Sequence, residues 1–157
     1  GVPGLTAGTS YDLKDSTTGG REENLMHRNG TWKGDLTSFD ADLKLQSSSP
    51  YEEHVTIEGD KLKIGTRGGL YGDDERISFK TNGHQAWSET GAMVGSYNLS
   101  GGRALTGTFH QLSEGVRVWR REIATVDGSM KAVLLIWYRG GQRICAQQGI
   151  LNFTPSN

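Results

Sequence analysis

From Thr31 onward the apolar and polar positions alternate with a period of two, the pattern of strands buried on one face. Trp32, Leu36 and Ser38 share one face of the first run, and Lys33, Asp35, Thr37 and Phe39 share the other. Asp40 to Pro50 reads as a polar loop. Glu53 to Glu58 alternates again, and Gly59-Asp60 is a hairpin signal answered by Lys61 to Ile64. Arg76 to Lys80, His84 to Glu89 and Gly91 to Leu99 are three further runs. Ala104 to Leu112 follows, with Leu105, Gly107 and Phe109 on one face. A long run from Val116 to Val126 then meets Asp127-Gly128, the strongest hairpin signal in the chain, and Met130 to Tyr138 pairs back. The last run extends from Arg143 to about Phe153.

Short strands at spacings of roughly ten residues, joined by turns, predict an all-β protein. An antiparallel up-and-down barrel of about 8–10 strands is the economical form, because closure removes exposed strand edges. The 23 glycines against three prolines suit many tight turns. Residues 1–22 are rich in Gly, Ser and Thr and are expected to be a flexible leader. Residues 23–157 form the single barrel domain. Residues 20–28 are expected to include a short N-terminal helix, with Leu25 and Met26 as its apolar anchors and Asn29-Gly30 as its end.

The opening Asn29-Gly30-Thr31-Trp32-Lys33-Gly34-Asp35-Leu36-Thr37-Ser38-Phe39 carries a Gly-x-Trp core, and Glu89-Thr90-Gly91-Ala92 follows at mid-chain. With the hairpins of Arg117 to Tyr138, these resemble the lipocalin and wider calycin pattern. The resemblance is closer to a lipocalin-like family of largely uncharacterised proteins from photosynthetic microbes, and it covers about residues 29–140. It implies a barrel whose interior holds a small ligand. It also implies that Trp32 packs beneath the barrel against a late arginine, with Arg121, Arg139 and Arg143 as candidates. The chain departs from lipocalins in lacking a Thr-Asp-Tyr segment. It departs from fatty-acid-binding barrels in lacking an Arg-x-Tyr end, so neither group's ligands carry over.

The formal net charge is −1, but 14 acids and 10 bases fall in residues 1–80 against 4 acids and 7 bases in residues 81–157. Late arginines and aromatics could track a single nucleic-acid strand, yet the overall charge argues against that partner. The longest apolar run, Ala132 to Trp137, is too short to span a membrane as a helix. A lone cysteine, Cys145, excludes an internal disulfide and points to the cytoplasm. The histidines lie on separate elements, so no metal site and no cofactor is expected.

A barrel interior lined by alternate residues is then the default site. Trp87, Met93, Tyr97, Phe109, Trp119 and Trp137 are the candidate ligand-binding residues. Glu89, Arg121 and His110 are the candidate catalytic ones, since a carboxylate in an apolar barrel has a raised pKa and can act as acid or base. Glu122 is a further candidate for the same role. Each aromatic is more simply explained as core or girdle, and each polar residue as surface or turn, because alternation assigns a face only once register is known. The expected function is binding of a small apolar or amphipathic molecule such as a pigment, terpenoid, polyketide or lipid. The alternative is a cofactor-free isomerase or cyclase acting on such a substrate in the same cavity.

Overall fold

The computed structural model describes residues 24–70, 75–81, 85–88 and 93–156, with the side chains of 75–81 left aside. Ten strands are described: β1 (Gly30–Asp40), β2 (Leu45–Glu58), β3 (Lys61–Arg67), β4 (Glu75–Thr81), β5 (Gln85–Ser88), β6 (Met93–Ser100), β7 (Ala104–Gln111), β8 (Val116–Ala124), β9 (Met130–Arg139) and β10 (Gln142–Pro155). Each pairs antiparallel with its chain neighbour, and β1 pairs with β10 to close the ring. The seam is thinnest between β4 and β5, where Lys80 faces Trp87 and Thr81 faces Ala86.

Alternation becomes burial along each strand. On β9, Lys131, Val133, Leu135 and Trp137 point inward and are buried. On β8 the inward set is Val116, Val118, Arg120, Glu122 and Ala124. The continuous apolar run of β9 arises because Ala132, Leu134 and Ile136 on its outer face are themselves half-buried.

Two sequence expectations change. The expected loop from Asp40 to Pro50 is only a turn, because Leu45 to Pro50 extend β2 alongside β1, with Leu36 opposite Ser49 and Ser38 opposite Ser47. Side chains of Leu45 to Pro50 are exposed on both faces, so this part of the strand leaves no apolar rhythm to read. Asp40 closes the turn by accepting from the amides of Asp42 and Lys44. The expected helix is a turn and bend over residues 24–29, and residues 20–23 lie outside the described residues. Its amides are drawn elsewhere: Leu25 donates to Gly102 O at 2.8 Å and Met26 to the side chain of Asn24 at 2.9 Å. Neither can serve an i to i−4 ladder.

Residues 24–29 seal one end of the barrel. Asn29 accepts from Ile57 N through Oδ1 and from Ser156 N through its carbonyl, Arg28 Nη2 donates to Gly128 O at 2.7 Å, and Met26 is buried in the core. Beside them Trp32 is fully buried, its ring centroid 4.7 Å from that of Phe153. A Cβ at Gly30 would lie 2.5 Å from Phe153, so glycine before Trp32 is what admits that ring. The cation partner is not Arg121, Arg139 or Arg143. Arg28 lies 3.9 Å from the Phe153 centroid and 5.8 Å from that of Trp32, and Lys131 Nζ lies 4.6 Å from Trp32. Arg121, Arg139 and Arg143 are all exposed, and Arg139 and Arg143 stand at the opposite end of the barrel.

Candidate functional site

Above this plug the barrel encloses a cavity of about 90 Å³. Its upper wall is apolar, formed by Ile64, Leu70, Met93, Phe109, Val118 and Trp137. Its floor is ionic, formed by Glu53, Arg120, Glu122 and Lys131. Glu53 comes from β2, Arg120 and Glu122 from β8, and Lys131 from β9. All four point inward by the same alternation that buries Val55, Val118 and Val133.

The four charges pair as a ring. Arg120 donates through Nε to Glu122 and through Nη2 to Glu53. Lys131 Nζ donates to Glu53 Oε1 at 2.7 Å and lies 2.5 Å from Glu122 Oε1. Tyr51 adds a hydrogen bond from its hydroxyl to Glu53 Oε2 at 2.7 Å. Burial by itself would raise the Glu53 pKa, but the charges of Arg120 and Lys131 overcome it and hold the group at about 2. Burial likewise opposes the charge on Arg120, yet Glu122 and Glu53 keep it protonated far above the ordinary range. Tyr51 and Tyr97 are pushed well up, first by burial and then by Glu53 and Glu122 respectively, so both stay protonated.

Accessibility differs sharply within the ring. The side chains of Glu53 and Glu122 are 3% exposed and that of Lys131 4%, whereas Arg120 keeps 20%. Arg120 is therefore the most accessible of the four. To one side, His27 of the plug brings Nε2 within 2.6 Å of the Tyr97 hydroxyl. Burial lowers the His27 pKa to about 4, with Glu122 opposing the shift, so it is neutral at pH 7. At the opposite wall Trp137 Nε1 donates to Gln147 Oε1 at 3.0 Å, and Gln147 Nε2 donates to Ser38 Oγ at 3.0 Å.

Of the residues singled out from the sequence, the structure gathers Met93, Tyr97, Phe109 and Trp137 on the cavity wall. It does not bring Trp87, Trp119, Arg121 or His110 there. Trp119 and Arg121 alternate with the inward Val118, Arg120 and Glu122 and so lie on the outer face. Trp87 likewise alternates with the buried Ala86 and Ser88, and His110 with the buried Phe109 and Gln111. Glu89 lies outside the described residues. Glu53, Arg120 and Lys131 are not among the residues the sequence singles out, although Glu53 and Lys131 each place a charge on a strand face otherwise apolar and Arg120 shares its face with Glu122. That signal was ambiguous on β8, where Trp119 and Ile123 make the outer face as apolar as the inner one. Among the described residues no three His, Cys, Asp or Glu side chains converge as a metal site would require. No helix among them is long and apolar enough to cross a membrane.

No protein-family model and no curated protein sequence matches the chain. Among solved structures it is similar to a protein of unknown function from the DUF3598 family of Nostoc punctiforme, at 11% identity and a TM-score of 0.69. That alignment covers 83% of this chain and 49% of the Nostoc protein, so the chain spans about half its length. Two redesigned β-barrels, one of them bound to DFHBI, align over 83% of the chain at 13% identity, with TM-scores of 0.43 and 0.44 and 94% and 99% of their own chains covered. The Nostoc likeness establishes a shared antiparallel barrel fold.

The charge ring predicts the cost of breaking it. Lys131→Met leaves two buried carboxylates with one cation and should lower the unfolding free energy by about 3–5 kcal/mol in urea titrations. His27 predicts a pH dependence. Its folded pKa lies near 4 against 6.5 for the free side chain, so protonation favours the unfolded chain. Its contribution is intact above pH 6.5 and is lost as pH falls towards 4. Between pH 7 and 4.5 the native protein should therefore lose on the order of 2 kcal/mol more stability than His27→Gln.

Proposed function

We propose that this barrel binds a small amphipathic molecule, with its polar end on the ionic floor and its apolar part against Phe109, Val118 and Trp137. The observation that carries the reading is a cavity inside the barrel with apolar walls above a hydrogen-bonding floor, the usual make-up of a ligand site. Volume narrows the choice. Drug-sized pockets run to roughly 300–1,000 Å³, and about 150 Å³ suits a benzene ring. A cavity of about 90 Å³ is smaller than that, so it takes a small head group, and the rest of the molecule would extend along the apolar wall towards Leu70 and Met93. That favours a lipid chain or small terpenoid over a broad pigment. Membership of a lipocalin-like family belongs to the same proposal, supported by the Gly30-x-Trp32 plug. A cytoplasmic location rests on Cys145 being the one cysteine.

An isomerase or cyclase in the same cavity is the second reading, favoured by one observation. The His27–Tyr97 pair puts a neutral imidazole and a hydroxyl together, with Tyr97 on the cavity wall. Such a pair could pass a proton to or from a bound substrate.

Native mass spectrometry of freshly purified protein should show a copurified organic adduct of low mass, and titration with it should quench tryptophan fluorescence saturably through Trp137. A chromatographically altered product after incubation would select the enzyme. No adduct, together with no saturable quenching by narrow apolar ligands, would contradict both readings.

A further inference from the structure

Four ionised side chains on the floor of an apolar cavity are an unusual choice if stability were their only role. Replacing such a group with well-packed apolar residues is often neutral or favourable. What the group offers the cavity is therefore informative. It is balanced, with two carboxylates against two cations, and every charge is already met by opposite charges within the ring. His27 beside it is neutral and adds nothing to the balance. All four line the cavity, and Arg120 is the most exposed of them, at 20% against 3–4% for the others. Its Nε donates to Glu122 and its Nη2 to Glu53, and the guanidinium also donates to the Tyr51 hydroxyl, so of its five N–H groups the remainder are what it can offer a ligand.

We infer that the floor is a site for an uncharged head group with a hydrogen-bond acceptor, a carbonyl or hydroxyl that accepts from Arg120, and that it discriminates against carboxylate and ammonium heads. The inference rests on the binding reading above and names its ligand class. A carboxylate approaching Arg120 would meet Glu53 and Glu122 already on the same guanidinium. It could form a true pair only by displacing one of them, leaving that glutamate buried without its cation. An amine would meet Arg120 first, and like charges repel in a medium that screens poorly. A carbonyl or hydroxyl oxygen adds no net charge. It takes a charge-assisted hydrogen bond without dismantling the ring. The Tyr97 hydroxyl, also on the wall, could give such a head a second contact.

The test uses four probes of one chain length, 1-octanol, 2-octanone, octanoate and octylamine, titrated at pH 7 against the intact protein by tryptophan fluorescence and calorimetry. The alcohol and ketone should bind at least about tenfold tighter than the acid and the amine. An apolar pocket of any kind would also disfavour ions, so Glu122→Gln supplies the specific arm. It removes one negative charge, leaves the ring with net positive charge, and should improve octanoate relative to octanol by about tenfold or more. Should that variant not fold, Glu53→Gln makes the same charge change. Octanoate binding tightest to the unmodified protein would overturn the inference, as would a ratio untouched by removal of the glutamate charge. Either result leaves the binding reading standing. Saturable binding of none of the four would overturn the binding reading itself, and this inference with it.

Discussion

Glu53, Arg120, Glu122 and Lys131 can stay charged inside this barrel only because each is neutralised by the others. A single buried charge of this kind is costly by several kcal/mol, and a pair recovers that cost only in good geometry with its remaining hydrogen bonds met. The ring therefore constrains three strands at once. Glu53 must arrive on β2, Arg120 and Glu122 on β8 and Lys131 on β9, all on the inner face. A slip of one residue in any of them would carry its charge to the outer face and leave its partners stranded.

The plug and the ring form one unit. Trp32 is buried beneath them, with Lys131 against its ring and Phe153 beside it, and Arg28 lies over Phe153. Met26 and His27 come from the segment that enters the barrel, and His27 reaches Tyr97 on the cavity wall. Sealing that end excludes water from the ion pairs and strengthens them. Fold and site are thus coupled through the residues on either side of Gly30-Thr31-Trp32.

Most of the fold was legible because strands write themselves in periods of two. The β2–β3 hairpin at Gly59-Asp60, the β8–β9 hairpin at Asp127-Gly128 and the inward Leu105 and Phe109 all follow from local pattern and turn chemistry. The N-terminal segment did not, because its conformation is set by distant partners, Gly102, Gly128 and Ile57, none of them visible in a window of nine residues. The site was half legible. Met93, Tyr97, Phe109 and Trp137 lie on the wall, but Trp119-x-Arg121 and Val118-x-Arg120-x-Glu122 are both plausible inner faces of β8 until the partner strands are known. Pairing decides it: Arg120 sits opposite Leu135 and Gly107, with Glu122 two positions along, where Lys131 and Glu53 can reach them.

The four charges fix the register of β2, β8 and β9, but their net contribution to stability is small, because the desolvation cost of each is offset by the others. The most direct measurement is the unfolding free energy of a quadruple variant, Glu53→Leu, Arg120→Met, Glu122→Leu and Lys131→Met, in urea at pH 7. The variant is expected to be as stable as the native protein or up to a few kcal/mol more stable, since all four desolvation costs disappear together. A loss as large as that caused by removing Lys131 alone would contradict it and make the ring a structural requirement of the barrel.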